Sequence, residues 1–264
     1  MTFTRFIALG DSFTEGMCDE IVDGNYRGWA DRVADVLALE AKEFTYANLA
    51  IRGKLIKQVG DEQVSKAIQF VTGKETLISF HAGANDVLRP NYISENIFSY
   101  YNEAIRKLAA SGATLILFTV LERTGNTGKV ADMWAERFSK FNENVRKMAR
   151  EVGAIVIDAN GEKFLADRRF LAFDRLHLNS IGQNRVAQGV LELLGLPFDP
   201  SWRSPLPPTR KKPYLVDLIT KVAINTLWFF TFALPWIWRR IRGKSSGDGR
   251  SAKYPVPVAW PLDR

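Results

Sequence analysis

Gly10-Asp11-Ser12-Phe13-Thr14-Glu15-Gly16, directly behind the apolar run Phe6-Ile7-Ala8-Leu9, is the stretch that decides how this chain folds. An apolar run that stops in small, turn-forming residues predicts a buried strand with an abrupt end. Ser12 then stands at the C-terminal edge of that strand, where open α/β sheets bind their ligands. A serine in that position is a candidate nucleophile.

Outward from this stretch the chain alternates strand and helix patterns. Strands are predicted at Arg5–Leu9, Glu43–Asn48, Thr76–His81, Thr114–Val120 and Ala154–Asp158. Between them lie helical patterns at Gly28–Leu39, Leu55–Val71, Glu95–Ala110 and Ala131–Glu151, with one more at Ser180–Leu193. Gly112 and Gly153 read as helix stops. Repeated strand–helix units imply a parallel sheet with helices on both faces, an α/β fold.

A serine hydroxyl needs a base within reach, a group that fixes the base's tautomer, and donors aimed at the developing oxyanion. The chain has two histidines, His81 and His177. His177 lies three residues after Asp174, a spacing that puts both side chains on one side of a turn. The carboxylate can then hold one ring nitrogen and leave the other for the serine proton. Gly83-Ala84-Asn85-Asp86 follows the strand ending at His81, so the Asn85 amide is a candidate donor. Gly53 follows the second strand and offers an unobstructed backbone N–H. The Ser12 N–H completes a three-donor oxyanion hole. Asp11 reads as a loop-holding acceptor and His81 as a satisfied polar group at a strand end. Cys18 carries no mark of an activated thiolate. Trp29 and Tyr26 are candidates for the acyl pocket, though Trp29 reads better as a residue packing a helix on the sheet. The connection Leu121–Lys129 is placed as a lid or pocket-shaping loop.

These four blocks resemble the SGNH, or GDSL-type, hydrolases: Ser12 in the first, Gly53 in the second, Asn85 in the third, and Asp174 with His177 in the last. The resemblance covers residues 4–195. It implies a flavodoxin-like three-layer α/β/α sandwich with a five-stranded parallel sheet. It also implies a serine esterase or acyl hydrolase that forms an acyl-enzyme from an ester or thioester. The catalytic residues would be Ser12, Asp174 and His177, and the oxyanion donors Ser12, Gly53 and Asn85. Phe13 stands where the family often has leucine. No metal or cofactor is expected, and the substrate is a small-molecule ester or a lipid-like one. The alternative is a non-catalytic binding protein of the same fold, docked to a membrane surface or a partner by its C-terminal segment.

Charge divides the chain. Residues 1–200 carry 24 basic and 26 acidic side chains, a balance of −2, whereas residues 201–264 carry 12 and 3, a balance of +9. The basic character belongs to the tail, so nucleic acid is not expected as a partner of the body. One cysteine excludes an internal disulfide, and the N-terminus reads as the start of a strand and not as a signal peptide. The body is therefore expected in the cytoplasm, with a peripheral membrane contact as a further expectation.

The expected organisation is a hydrolase domain at 1–196, a proline-rich linker at 197–213, an apolar helix with basic flanks at 214–242, and a flexible basic tail at 243–264. Five of the seven tryptophans lie beyond residue 200. Three fates are open for the apolar helix: packing on the body, lying in a membrane interface, or crossing a bilayer.

Overall fold

The computed structural model describes residues 2–122, 128–210, 213–242 and 244–261. Strand β1 (Arg5–Gly10) sits inside the main sheet with Phe6 to Leu9 fully buried, which accounts for its unbroken apolar run. It pairs in parallel with β4 (Thr45–Asn48) on one side and β5 (Thr76–His81) on the other. Beyond β5 come β6 (Thr114–Phe118) and β7 (Ile155–Ile157), also parallel. A small hairpin, β2 (Ile21–Val22) with β3 (Asn25–Tyr26), stands apart from this sheet.

Because side chains alternate along a strand, the sheet has two apolar faces. Ile7, Leu9, Ile78, Phe80 and Leu117 meet α6 (Ser94–Ala110) and α7 (Lys129–Val152), where Tyr101, Phe141 and Val145 are buried. Phe6, Ala8, Leu77, Ile116 and Phe118 meet α2 (Gly28–Glu40) and α8 (Ser180–Leu193) through Trp29, Val33 and Val190. Trp29 is thus a packing residue. The helix expected over Leu55–Val71 is broken: α3 (Ile56–Gln58) runs through a π turn, Val59–Val64, into α4 (Ser65–Ile68). Gly112 and Gly153 adopt left-handed backbone at helix ends, as expected.

The C-terminal region departs from expectation in two places and in a third bears on a choice left open. First, the sheet has six strands, in the order β7-β6-β5-β1-β4-β8. The sixth, β8 (Tyr254–Ala259), comes from the segment expected to be flexible at 243–264, and it pairs antiparallel with β4. Pro255 and Pro257 fit there because β8 is an edge strand. The side chain of Lys253, just before it, is buried and bonded to Asp31 at 2.7 Å, and also donates to the carbonyls of Tyr26 (2.8 Å) and Arg27 (3.0 Å). Trp260, just after it, is buried, with its ring nitrogen donating to Asp35 at 2.9 Å.

Second, the proline-rich segment is no free linker. Trp202 is buried beside Gly189 of α8, and Arg185 donates to the carbonyls of Trp202 and Ser204. Third, the apolar stretch forms α9 (Tyr214–Trp228), a π turn (Phe229–Ala233) and α10 (Leu234–Ile241), and of its described side chains only Ala233 is buried. Leu215, Ile219 and Phe230 are more than 60% exposed.

Candidate active site

The sheet order makes the crevice. From β1 the chain moves one way to β4 and then across to β5, so the loops after β1, β4 and β5 open at a switch point. Gly10 ends β1 at φ +148, and a Cβ there would lie 2.2 Å from the His81 carbonyl oxygen. That close approach brings the turn after β1 against the end of β5. Gln63, on the π turn, locks the same corner: its side chain accepts from the Gly10 N–H (2.8 Å) and donates to the Gly10 carbonyl (2.9 Å). The π turn therefore serves the site, a role that uniform helical spacing does not reveal.

Ser12 opens the short helix α1 (Ser12–Glu15). Its Oγ is 2.9 Å from His177 Nε2, and His177 Nδ1 is 2.6 Å from Asp174 Oδ2. With the proton on Nδ1, that N–H donates to the carboxylate and Nε2 accepts from the serine hydroxyl. The loop carrying both residues is closed by a bridge between Leu171 and Leu178 and by Arg175, which adopts left-handed backbone at φ +61. Asp174 Oδ1 also accepts from the Leu176 and His177 N–H groups, each at 3.0 Å. Burial tends to raise the Asp174 pKa. The hydrogen bond to His177, its charge and the two backbone donors outweigh burial and hold the carboxyl down at about 2. Asp174 is thus an anion at any pH where His177 acts as a base.

The three expected oxyanion donors lie at this edge in different states. No acceptor among the described residues takes the Ser12 or Gly53 N–H. Gly53 has left-handed backbone at φ +73 and sits one residue from Lys54, whose carbonyl accepts from Asn85 Nδ2 at 3.2 Å. The same Asn85 nitrogen donates to Asp11 Oδ2 at 3.0 Å. Asp11 also accepts from the Phe13 N–H, the loop-holding role expected of it. Next to Asn85 on the short helix α5 (Ala84–Val87), Asp86 accepts from the Ile56 N–H at 2.9 Å. Burial, despite that bond, raises its pKa to about 6.

His81 differs from its expectation. It is buried 4.3 Å from the Phe13 ring, yet its Nδ1 has no hydrogen-bond partner among the described residues and lies 3.7 Å from Asp11 Oδ1. Cys18 donates to Asp174 Oδ2 at 3.3 Å, and burial together with the Asp174 charge pushes the thiol up to about 12. Cys18, Asp174 and His177 offer ligand atoms within 4.8 Å of one another. A metal bound there would compete with the Nδ1 bond to Asp174 and would need the thiol deprotonated, so the donor set suits the hydrogen-bonded relay better than an ion.

Ser12, Asn85 and His177 open onto a cavity of about 790 Å³. Phe118, Leu121, Trp134, Phe138, Leu171 and Trp202 give it a mainly apolar wall. Gly53 is not part of that wall, and neither is Tyr26, whose ring lies under the Arg52 guanidinium. Of the Leu121–Lys129 connection, Leu121 and Glu122 line the cavity, while residues 123–127 lie outside the described residues.

Sequence reasoning missed what braces the site from the tail. Trp228 Nε1 donates to the Asp174 carbonyl at 3.1 Å, and Arg175 donates to Asn225 at 2.7 Å while stacking on the Trp228 ring. Ser245 Oγ donates to the Gly53 carbonyl at 3.2 Å. A Cβ on Gly53 would lie 2.2 Å from that hydroxyl, and one on Gly247 would lie 2.0 Å from the Arg52 carbonyl oxygen. Nothing local in the sequence marks these pairings.

A central parallel sheet with a serine, histidine and aspartate relay at its C-terminal edge defines the class of α/β serine hydrolases. Residues 8–185 match the model of the GDSL-like Lipase/Acylhydrolase family, and the chain belongs to that family. It is a serine hydrolase of the SGNH type with an esterase or acylhydrolase activity. No curated protein matches the sequence significantly. Among solved structures it is similar to the psychrotrophic esterase EstA from Pseudoalteromonas sp., with 15% identity, 73% of this chain and 97% of that one covered, and a TM-score of 0.56. It is also similar to the acetylxylan esterase Axe2 from Geobacillus stearothermophilus (19% identity, 76% and 98% covered, TM-score 0.58). A G-D-S-L lipolytic family member from Veillonella parvula gives 21% identity, 72% and 98% covered, and TM-score 0.58. At these identities the likeness concerns the fold.

Proposed function

We propose that this protein hydrolyses esters of apolar acyl groups through an acyl-enzyme on Ser12. The observation that carries the reading is the continuous relay Ser12–His177–Asp174, at 2.9 and 2.6 Å, beside a mainly apolar cavity. Ser12 Oγ attacks the ester carbonyl as its proton passes to His177 Nε2, and Asp174 holds the imidazolium that forms. The carbonyl oxygen, now negative, takes hydrogen bonds from the Ser12 N–H and from Asn85, and the Gly53 N–H, outside the cavity wall, is the third donor that the family resemblance implies. The Asn85 bond to Lys54 is the longer of its two and is the one the oxyanion replaces. His177 then gives its proton to the departing alkoxide. Water attacks the acyl-enzyme with His177 again as base, releasing the acid and restoring the Ser12 hydroxyl.

The acyl chain occupies the apolar cavity, so ester rates rise from two-carbon acyl groups to longer ones. The test is a p-nitrophenyl ester series together with fluorophosphonate labelling of the intact chain. Ser12→Ala is expected to lose both label and turnover, the latter by at least about 10³-fold. Wild-type protein that neither turns over any ester nor takes label at Ser12 would falsify the assignment and leave the non-catalytic alternative.

A further inference from the structure

Residues 214–241 form one helical rod, about 42 Å long at 1.5 Å per residue. At about 100° per residue, Asp217, Lys221, Asn225 and Trp228 share one stripe. Asn225 and Trp228 of that stripe touch the body at the Asp174–Arg175 loop. On the opposite side lie Leu215, Ile219, Val222 and Phe230, between 57% and 68% exposed. Asp217 is the only acidic residue in 214–244, against Lys221, Arg239, Arg240, Arg242 and Lys244. An apolar face with basic residues beside it fits a negatively charged lipid surface.

By length and composition Tyr214–Arg239 could cross a bilayer. The connectivity forbids it. Before the rod, Arg169 donates to the carbonyls of Leu206 and Pro207. After it, Ser245 bonds Gly53, Lys253 pairs with Asp31, and β8 extends the sheet beside β4. Both ends of the rod are held on one body. A crossing would put residues 245–261 on the far side of the membrane and strip β8 from the sheet.

We propose that residues 214–241 are an in-plane membrane anchor that seats the face of Leu215, Ile219, Val222 and Phe230 in an anionic leaflet, and so holds the Asp174–Arg175 loop about 10 Å, one helix diameter, above that surface. The rod touches the relay loop directly, and Phe173 and Leu176, on either side of Arg175, are exposed as well. Apolar side chains are thus exposed on the relay loop itself, next to the point where the rod touches it. The substrate class follows, resting on the esterase reading above: an amphiphilic ester whose acyl chain moves from the leaflet into the cavity.

Flotation of the full-length protein with sealed vesicles tests the anchor. Vesicles of phosphatidylcholine with one-third phosphatidylglycerol are expected to carry the wild type and Ser12→Ala equally, so docking is read independently of catalysis. The triple variant Leu215→Gln, Ile219→Gln, Val222→Gln is expected to float at least tenfold less while keeping its rate on a water-soluble ester. Tryptophan quenching by lipids brominated near the headgroup should exceed quenching by lipids brominated near the chain end. Three results overturn the proposal: no flotation of the wild type at low salt, equal flotation of the triple variant, or stronger quenching by the deep bromines, which would mean a crossing helix. Light scattering that shows a wild-type dimer and a monomeric triple variant, without vesicle binding, would assign the face to a second copy of the chain instead.

Discussion

Two neighbouring stretches of the C-terminal region exchange the places that their compositions suggest. Residues 214–241 are the most apolar long segment of the chain, yet they lie on the outside with their aliphatic side chains exposed. Residues 244–261, rich in Gly, Ser, Pro and charge, are built into the body: a strand, a lysine with a buried side chain and a buried tryptophan. Hydropathy measures what a segment would gain by leaving water. It does not say whether a partner surface exists. The rod finds few apolar partners on its own body, whereas Lys253 finds a buried carboxylate and two carbonyls.

The sharpest way to break this comparison is Lys253→Met. The change keeps the bulk of the side chain but leaves Asp31 buried without its cation, which costs about 3–5 kcal/mol. Urea unfolding is expected to show that loss. A variant within 1 kcal/mol of wild type would mean that the tail merely rests on the body.

A smaller effect is expected at the loop between the two stretches and the relay. Asp174 sits at about 2 in the folded protein, against an ordinary value of 3.8. For an acid whose pKa falls on folding, the stabilisation is complete above the unfolded value and disappears as pH falls through the folded one. The stability difference between wild type and Asp174→Asn should be level from pH 7 to about 4.5, then shrink by about 2 kcal/mol towards pH 2. Denaturation at stepped pH measures it, and a level difference throughout would remove the relay's claim on the carboxylate.

The smallest effect is expected on the rod. The triple glutamine variant of Leu215, Ile219 and Val222 should stay within about 0.5 kcal/mol of wild type in stability, because those side chains touch water already. A large loss in thermal unfolding would show that the face is covered in solution and would close the gap between the two stretches.

Much of the body was legible from local pattern. Five strands fall where the apolar runs end in turn residues, and Thr76–His81 and Ser180–Leu193 match the predicted spans to the residue. The order of the four motif blocks pointed to Ser12, Asp174 and His177, and the structure brings their side chains within hydrogen-bond distance. What was not legible depends on pairings across long separations. Gln63 clamps Gly10 only because a π turn rotates it inward. Ser245 reaches Gly53 across nearly two hundred residues, and His81 Nδ1 finds no hydrogen-bond partner among the described residues, contrary to what its strand-end position suggested.

Periodicity and turn chemistry act within a few residues, so the amino-acid order alone determined the alternating elements, the serine corner and the Asp-x-x-His turn. Where the tail goes was decided by tertiary structure. An edge of β4 was open to a sixth strand, Asp31 needed a cation, and only folding in three dimensions could reveal that residues 253–260 supply both.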